Sequence, residues 1–454
     1  MKYHLPSLKK VEKKSSLDAY FDRSWGTIIR GAHRLQILLQ DDLCNGIINI
    51  PTVLVSGSNG KGTTSAFIES IMRKHGCKTG LYTSPHLIHP TERIRINGKP
   101  IDEKLLEEFL FITIEKSKKY LPDASFFELT TATAFQIFLH QQIEFLVCEV
   151  GLGGHYDSTN CLSPIVSVLT SVSLEHTKFL GETLTKIAAD KSFISRRNRP
   201  FIVSETLNKE ALMGVKETTA ITGAIVCHAK DKQPNLYENL LQKIARVDNN
   251  ISYHFAKLNL INLRTALCAV EQIKEEFKNQ FQKLIPLNEI SLEQAILNTE
   301  WPGRFDIRMI HNRSVIFDAS HNPDGFKYFL NEYEKSIFSN KKCVLIFASL
   351  NDKDWKSTLN LLPKIASSII FTEVPSNRAQ IASEFLSYIN ENNNKEELIS
   401  NYQNLSCFTI PNYELALETA MNQFPDLPLV ITGSIAFIGM AMDRFGLEFH
   451  RGME

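Results

Sequence analysis

The stretch Val53-Leu54-Val55-Ser56-Gly57-Ser58-Asn59-Gly60-Lys61-Gly62-Thr63-Thr64 combines the residue types that hold phosphate. It reads as a buried strand, a glycine-rich turn and the start of a helix. Glycines let the backbone approach phosphate oxygens closely, and the following helix points N–H groups and its positive dipole end at them. Lys61 would reach the terminal phosphates, and a threonine hydroxyl would meet Mg2+. The spacing is G-x-x-G-K-G-T rather than GxxxxGK[ST], so a glycine-rich turn carrying an exposed lysine is the competing reading.

Three further groups sit at the ends of apolar runs. Glu149-Val150-Gly151-Leu152-Gly153-Gly154 places a carboxylate, a hard oxygen donor suited to Mg2+, where parallel sheets bind ligands. A strand-terminal glutamate also serves as a cap or a solvated residue. Ser171-Val172-Ser173-Leu174-Glu175-His176-Thr177 offers His176 to a metal or phosphate at the same kind of edge, or simply to water. Phe317-Asp318-Ala319-Ser320-His321-Asn322-Pro323 clusters polar groups before a proline, which ordinary turn chemistry also explains. Near the C-terminus, Thr432-Gly433-Ser434 follows a short apolar run, and its N–H groups could hold a carboxylate. Lys191 is different in kind. In a helix expected over 183–194, Leu184, Ile187, Ala188 and Lys191 share one stripe, so the lysine faces inward. It must snorkel, pair or lose its charge. Periodicity favours snorkelling, and carbamylation by CO2 is the alternative that would turn the cation into a metal-binding carboxylate.

These groups need a scaffold that brings strand ends to one edge. Strands are expected at 52–56, 79–83, 144–150 and 165–171, with helices at 63–75 (closed by Gly76) and 129–141. The alternation resumes at 314–319, 343–348, 368–373 and 429–432, after a helix at 291–298 and Trp301-Pro302-Gly303. That pattern predicts an α/β protein, parallel sheet with helices on both faces, in two domains: 1–299 and 300–454. The less regular stretch 208–250 reads as a peripheral insertion, and 392–397 as a polar loop.

Composition sets the outer limits. The chain has 454 residues, with 50 basic and 50 acidic side chains, so no basic excess points to nucleic acid. A hydrophobic fraction of 43% against 22% charged suits a globular core and excludes a disordered chain. The eight cysteines form no CxxC pair, and Lys9, Lys10, Lys13 and Lys14 precede no apolar stretch. The expectation is a soluble cytoplasmic protein with no membrane partner.

Taken together, Ser56–Thr64, Ser84-Pro85-His86-Leu87, Glu92-Arg93-Ile94-Arg95, Glu149–Gly154, Glu175-His176-Thr177, Lys191, Trp301–Phe305, Asp318–Pro323, Asp352-Lys353-Asp354 and Thr432-Gly433-Ser434 resemble the folylpolyglutamate synthase/dihydrofolate synthase family of the Mur ligase superfamily. The resemblance spans about residues 50–440 in the family's order. It implies a P-loop ATPase domain of Mur-ligase type and a smaller Rossmann-like C-terminal domain. It also implies ligation of L-glutamate to dihydropteroate or a folate through an acyl phosphate, with ATP as co-substrate and two Mg2+. By motif position, Gly57, Ser58, Asn59, Gly60, Lys61, Gly62 and Thr63 would bind ATP phosphates. Asn262, Arg304 and Asp318 would complete the nucleotide site. Thr63, Ser84, Glu149, His176 and a carbamylated Lys191 would hold metal. Lys61, His176, Lys191 and His321 would act in catalysis, His321 and Ser434 would meet glutamate, and Phe127 and His155 would meet the acceptor. A monomer acting on small molecules alone is implied.

The chain departs from the family on the acceptor side. Ile28-Ile29-Arg30-Gly31-Ala32-His33-Arg34-Leu35 replaces a Leu-Gly-Leu-Glu-Arg-like segment, His155 stands where an arginine is usual, and Leu258-Asn259 replaces a His-Gln pair. Two alternatives therefore stay open: the same ligation on a non-folate carboxylate, and a nucleotide-binding homologue without catalysis.

Overall fold

The computed structural model describes residues 31–231, 235–246, 251–280, 284–391, 402–403 and 405–448. The basic residues 9–14, the departing residues 28–30 and the polar stretch 392–397 lie outside them. The described residues separate into two compact units, 31–300 and 301–448.

The first unit is built on eight strands: β1 Thr52–Ser56, β2 Thr79–Tyr82, β3 Ile94–Ile96, β4 Lys99–Pro100, β5 Phe145–Glu149, β6 Val166–Leu169, β7 Pro200–Val203 and β8 Ile225–His228. They lie in the order β4-β3-β2-β5-β1-β6-β7-β8, parallel from β2 to β8, with β3 and β4 antiparallel at one edge. Every residue of β1, β5 and β6 is buried, which is why these strands read as apolar runs rather than alternating ones. The chain leaves β1 towards β2 and, on the way from β5 to β6, crosses over β1. The order therefore reverses beside β1, the position where open α/β sheets bind ligands beyond their carboxyl ends.

Helix Lys61–Lys74 starts on Gly60, whose φ of 84° only glycine adopts at little cost, and carries Arg73 and Lys74 at its negative end. Gly76, at φ 96°, closes it as the spacing predicts. Helix Phe126–His140 begins three residues before the predicted start. Its signal is the capping box Ser125/Glu128, in which Glu128 accepts the Ser125 N–H at 2.7 Å and Ser125 Oγ accepts the Glu128 N–H at 3.3 Å. Phe135 and Phe138 on this helix are fully buried, each contributing roughly 1.5–3 kcal/mol. The stretch read as an insertion is instead part of the sheet. It supplies helix Lys209–Thr222 and edge strand β8, paired in parallel with β7. Its half-exposed, short strand is why the apolar pattern fades there.

The second unit holds six strands: β9 Asp306–Ile310, β10 Arg313–Asp318, β11 Cys343–Phe347, β12 Ala366–Phe371, β13 Ser406–Thr409 and β14 Leu429–Thr432. Their order is β13-β12-β11-β14-β10-β9, all parallel except β9. Here the order reverses at β14 and β10, the strands that end in Thr432 and Asp318.

Candidate functional site

Three loops meet at the carboxyl ends of neighbouring β5, β1 and β6. The loop after β1 is fastened to the loop after β6: the Ser58 N–H donates to the Ser171 carbonyl at 2.8 Å, and the Asn59 N–H to Ser171 Oγ at 2.8 Å. The Ser173 N–H in turn donates to Ser58 Oγ at 3.0 Å. A Cβ on Gly57 would lie 2.0 Å from Thr170 Oγ1, so only glycine admits this approach. The loop after β5 is tied in through Ser56 Oγ, which donates to the Gly153 carbonyl at 2.7 Å.

Lys61 is the first residue of its helix, with a side chain 17% exposed; it is not the exposed loop lysine of the competing reading. Its Nζ donates to the Ser58 carbonyl at 3.2 Å and stands 3.9 Å from Glu149 Oε1. The other Glu149 oxygen accepts the Ser84 N–H at 3.2 Å, which sets Ser84 beside that carboxylate. Thr63 is buried in the first turn of the same helix. Asn262 closes the far side of the turn, its Oδ1 lying where a Cβ on Gly60 would be 2.4 Å away. Gly57–Thr63, Asn262, Ser84 and Glu149 are thus gathered around one helix N-terminus.

Lys191 does not snorkel. Its side chain is 2% exposed, and its Nζ donates to the Gly57 carbonyl at 3.0 Å and to Glu175 Oε1 at 3.1 Å. Burial lowers the pKa of the Lys191 ammonium, with Glu175 opposing that shift. For Glu175, burial pushes the carboxyl up, but Lys191, then Lys61 and His176, outweigh it and hold the group at about 2. His176 follows at φ 49°, exposed, at the start of the short helix Thr177–Leu180. That left-handed backbone is uncommon for a residue with a side chain and turns the chain sharply after Glu175.

On the other side, the loop after β5 packs against helix Leu184–Ser192. A Cβ on Gly154 would meet the Lys191 carbonyl at 2.6 Å, and Asp190 accepts the Gly154 N–H at 3.0 Å. His155 stacks between Tyr156 at 4.1 Å and Phe193 at 4.0 Å. The Phe127 ring lies 2.4 Å from where a Cβ on Gly151 would be. His155 and Phe127 therefore flank the same glycine loop.

In the second unit, buried Asp318 at the end of β10 accepts the Phe305 N–H at 2.9 Å and the Ser320 N–H at 3.0 Å. Burial raises its pKa, opposed by Arg304 and those donors. The Gly433 N–H donates to the Ser320 carbonyl at 3.1 Å, so that donor is already engaged rather than open to a carboxylate. Ser434 is buried and begins helix Ile435–Arg444 without capping it through its side chain. His321 Nδ1 donates to the Ala319 carbonyl at 3.0 Å. Arg304, Asp318, His321 and Ser434 thus share the reversal point of the six-stranded sheet.

Sequence reasoning did not single out Glu175 as the partner of Lys191, nor Asp190 as the clamp on the glycine loop. The adjacency of Glu175 to His176 and of Asp190 to Lys191 was the available signal. Among the described residues no group of three or more His, Cys, Asp or Glu side chains gathers. Mg2+ needs no such cage, since it usually takes one or two carboxylates and leaves the rest to phosphate oxygens and water. Glu149 with Ser84 beside it is a donor set of that kind.

The Mur ligase middle domain matches residues 55–261. A folylpolyglutamate synthase of Lacticaseibacillus casei is 29% identical over 423 residues, covering 89% of this chain and 92% of that protein. A probable dihydrofolate synthetase of Schizosaccharomyces pombe is 28% identical, covering 85% and 91%. The fold matches a Mycobacterium tuberculosis folylpolyglutamate synthase complexed with ADP at a TM-score of 0.78 and 23% identity, over 95% of this chain and 98% of that one. Over most of its length the chain is thus similar to folylpolyglutamate synthases and dihydrofolate synthases, and the Mur ligase middle domain match covers the loops at the reversal point of the larger sheet.

Proposed function

We propose that the chain is an ATP-dependent amide ligase that joins L-glutamate to dihydropteroate or a folate. The observation that carries this reading is the meeting of Lys61, Glu149 and the Gly57–Gly60 turn at one helix N-terminus, in a chain similar to folylpolyglutamate and dihydrofolate synthases. The acceptor carboxylate attacks the γ-phosphorus of ATP, forming an acyl phosphate and releasing ADP. The glutamate α-amine then adds to the acyl carbon, and the tetrahedral intermediate expels phosphate as the amide forms.

In this reading residues 1–299 supply the ATP side and 300–454 the glutamate side. The Gly57–Thr63 N–H groups and Lys61 orient the phosphates and offset the charge that develops on them. Asn262 lines the nucleotide side of the turn, and Arg304 and Asp318 complete nucleotide recognition. His321 donates its Nδ1 proton to a carbonyl, which leaves Nε2 as the basic nitrogen able to take a proton from the glutamate ammonium. Ser434 meets the glutamate carboxylates, and Phe127 and His155 the acceptor. Bound Mg2+ would supply neutralisation of the transferred phosphoryl group, held by Glu149 with the Ser84 and Thr63 hydroxyls. His176 and Lys191 would serve a second ion. For that, Lys191 must lose its proton and leave Glu175, so that the neutral amine adds to CO2 with loss of a second proton. The lowering of its pKa by burial works in that direction. The protein acts as a monomer in a reducing cytoplasm; the seven described cysteines are free thiols, and no helix among the described residues is long and apolar enough to cross a membrane.

A second reading keeps the chemistry but changes the acceptor. His155, stacked between Tyr156 and Phe193, offers an aromatic slot where the family usually has an arginine cation. Mass spectrometry after incubation with ATP, Mg2+, L-glutamate and, in turn, dihydropteroate, tetrahydrofolate or a panel of carboxylates without a pterin separates the readings. A glutamyl amide of dihydropteroate or tetrahydrofolate is the expected product. Amide formed only on another carboxylate moves the assignment to the second reading, and ADP release without amide on any acceptor overturns both.

A further inference from the structure

The loop that carries Ser84 is held from behind by a pair of residues with no place in the chemistry above. It runs from the end of β2 to the short helix Pro90–Arg93. At its start the Thr83 N–H donates to the Arg93 carbonyl at 2.9 Å. In its middle the Arg93 Nε–H donates to His86 Nδ1 at 2.9 Å. At its far end Glu92 accepts the N–H groups of Leu87, Ile88 and His89 at 2.7, 2.9 and 2.7 Å. Arg93 is 4% exposed, and its guanidinium lies 5.5 Å from the centre of the Phe126 ring, so it has little room to reorient. One buried residue thus grips the loop on both sides of Ser84, by its carbonyl and by its side chain.

A buried guanidinium is costly, and a loop of this length can be anchored by backbone bonds alone. The cost is intelligible if the loop must be stiff where Ser84 meets Glu149. We propose that Arg93 is a positioning residue for the metal-dependent step: through His86 it fixes the Ser84 backbone, whose N–H donates to the Glu149 carboxylate, and so sets where the Ser84 side chain starts. Because the bond enters at Nε, with the planar guanidinium packed beyond it, lysine keeps the charge but not the geometry. The inference rests on the proposed nucleotide and Mg2+ site, though not on which acceptor is used.

The test compares Arg93→Lys, His86→Ala and the double variant with wild type, reading ADP affinity by calorimetry with and without Mg2+. The expected result is ADP binding unchanged without Mg2+, and a Mg2+ requirement raised about tenfold or more in each single variant, as partners behind metal ligands usually show. The double variant should be no worse than the worse single one, since both break one link. Faster amide exchange over residues 83–86 in metal-free Arg93→Lys should accompany it. An unchanged Mg2+ requirement in His86→Ala, the milder replacement, overturns the proposal even if Arg93→Lys folds poorly. Equal weakening of ADP with and without Mg2+ also overturns it, because that marks general damage. Wild-type protein whose ADP binding ignores Mg2+ would refute the underlying site reading instead.

Discussion

The two sheets present their reversal points in different ways. At the edge of the eight-stranded sheet, charge answers charge: Lys61 stands 3.9 Å from Glu149, and Lys191 is buried 3.1 Å from Glu175. At the edge of the six-stranded sheet the buried acid, Asp318, feels Arg304 but is bonded by two backbone N–H groups, and Gly433 is bonded to the Ser320 carbonyl. The first edge is a network of side chains that a polyanion could enter and rearrange. The second is held mostly by backbone hydrogen bonds. The difference suits the proposed division of labour, with phosphoryl chemistry at the first and recognition of glutamate and part of the nucleotide at the second.

The largest expected effect breaks this comparison at its charged side. Lys61→Ala should lower ATP turnover by at least about 100-fold, the scale of losing a group aimed at developing charge. Ser434→Ala, by contrast, should act chiefly on the KM for glutamate. Steady-state kinetics with each substrate varied would check both. A Lys61→Ala enzyme with near-normal turnover would remove the basis for calling the first edge the phosphate side.

The next effect concerns stiffness. Gly60 and Gly433 both sit at positive φ, 84° and 107°. A Cβ on Gly433 would meet the Ala348 carbonyl oxygen at 2.3 Å, which is backbone and cannot step aside. On Gly60 it would meet the tip of the Asn262 side chain at 2.4 Å, which can swing away. Gly433→Ala should therefore destabilise by about 3 kcal/mol or more, as overpacking adds to backbone strain. Gly60→Ala should cost about 1–2 kcal/mol, the strain alone, and should weaken nucleotide binding through displaced Asn262. Chemical denaturation gives the stabilities; equal losses would mean the two edges are equally rigid.

How far the sequence reached follows the same divide. Buried parallel strands announce themselves as apolar runs, so β1, β5, β6, β10, β11, β12 and β14 were legible to within a residue or two. The edge strands β4, β8, β9 and β13, and the three-residue β3 beside β4, are short or half-exposed and left no such run. Among candidate site residues, the placement of those in glycine-rich turns was legible because their backbone needs particular residue types. Lys191 was flagged by its place in an apolar stripe, but its partner was not, because periodicity says what faces inward and nothing about what waits there. The Arg93–His86 bond joins residues seven apart through a turn, a contact that no spacing rule encodes.

The smallest effect separates the two units by pH. In the second unit Glu332, on helix Pro323–Lys335 behind the Asp318 loop, has a side chain 8% exposed. Burial raises its pKa from an ordinary 4.5 to about 7, with Lys335 opposing. A carboxyl raised in the folded state binds its proton more tightly there than when unfolded. The Glu332 contribution to stability is then most favourable below pH 4.5 and declines as pH rises towards 7, by on the order of 2 kcal/mol between pH 5 and 7. Glu175 in the first unit is held low, at about 2, so its contribution is complete above pH 4.5 and is lost only as pH falls towards 2. Between pH 5 and 7 Glu175 should therefore stay ionised while the Glu332 helix loosens. Hydrogen exchange corrected for intrinsic rates would show increasing openness over 323–335 but not over 184–192 across that range. Glu332→Gln should abolish the trend in the helix. A trend that survives this substitution would place the titrating group elsewhere.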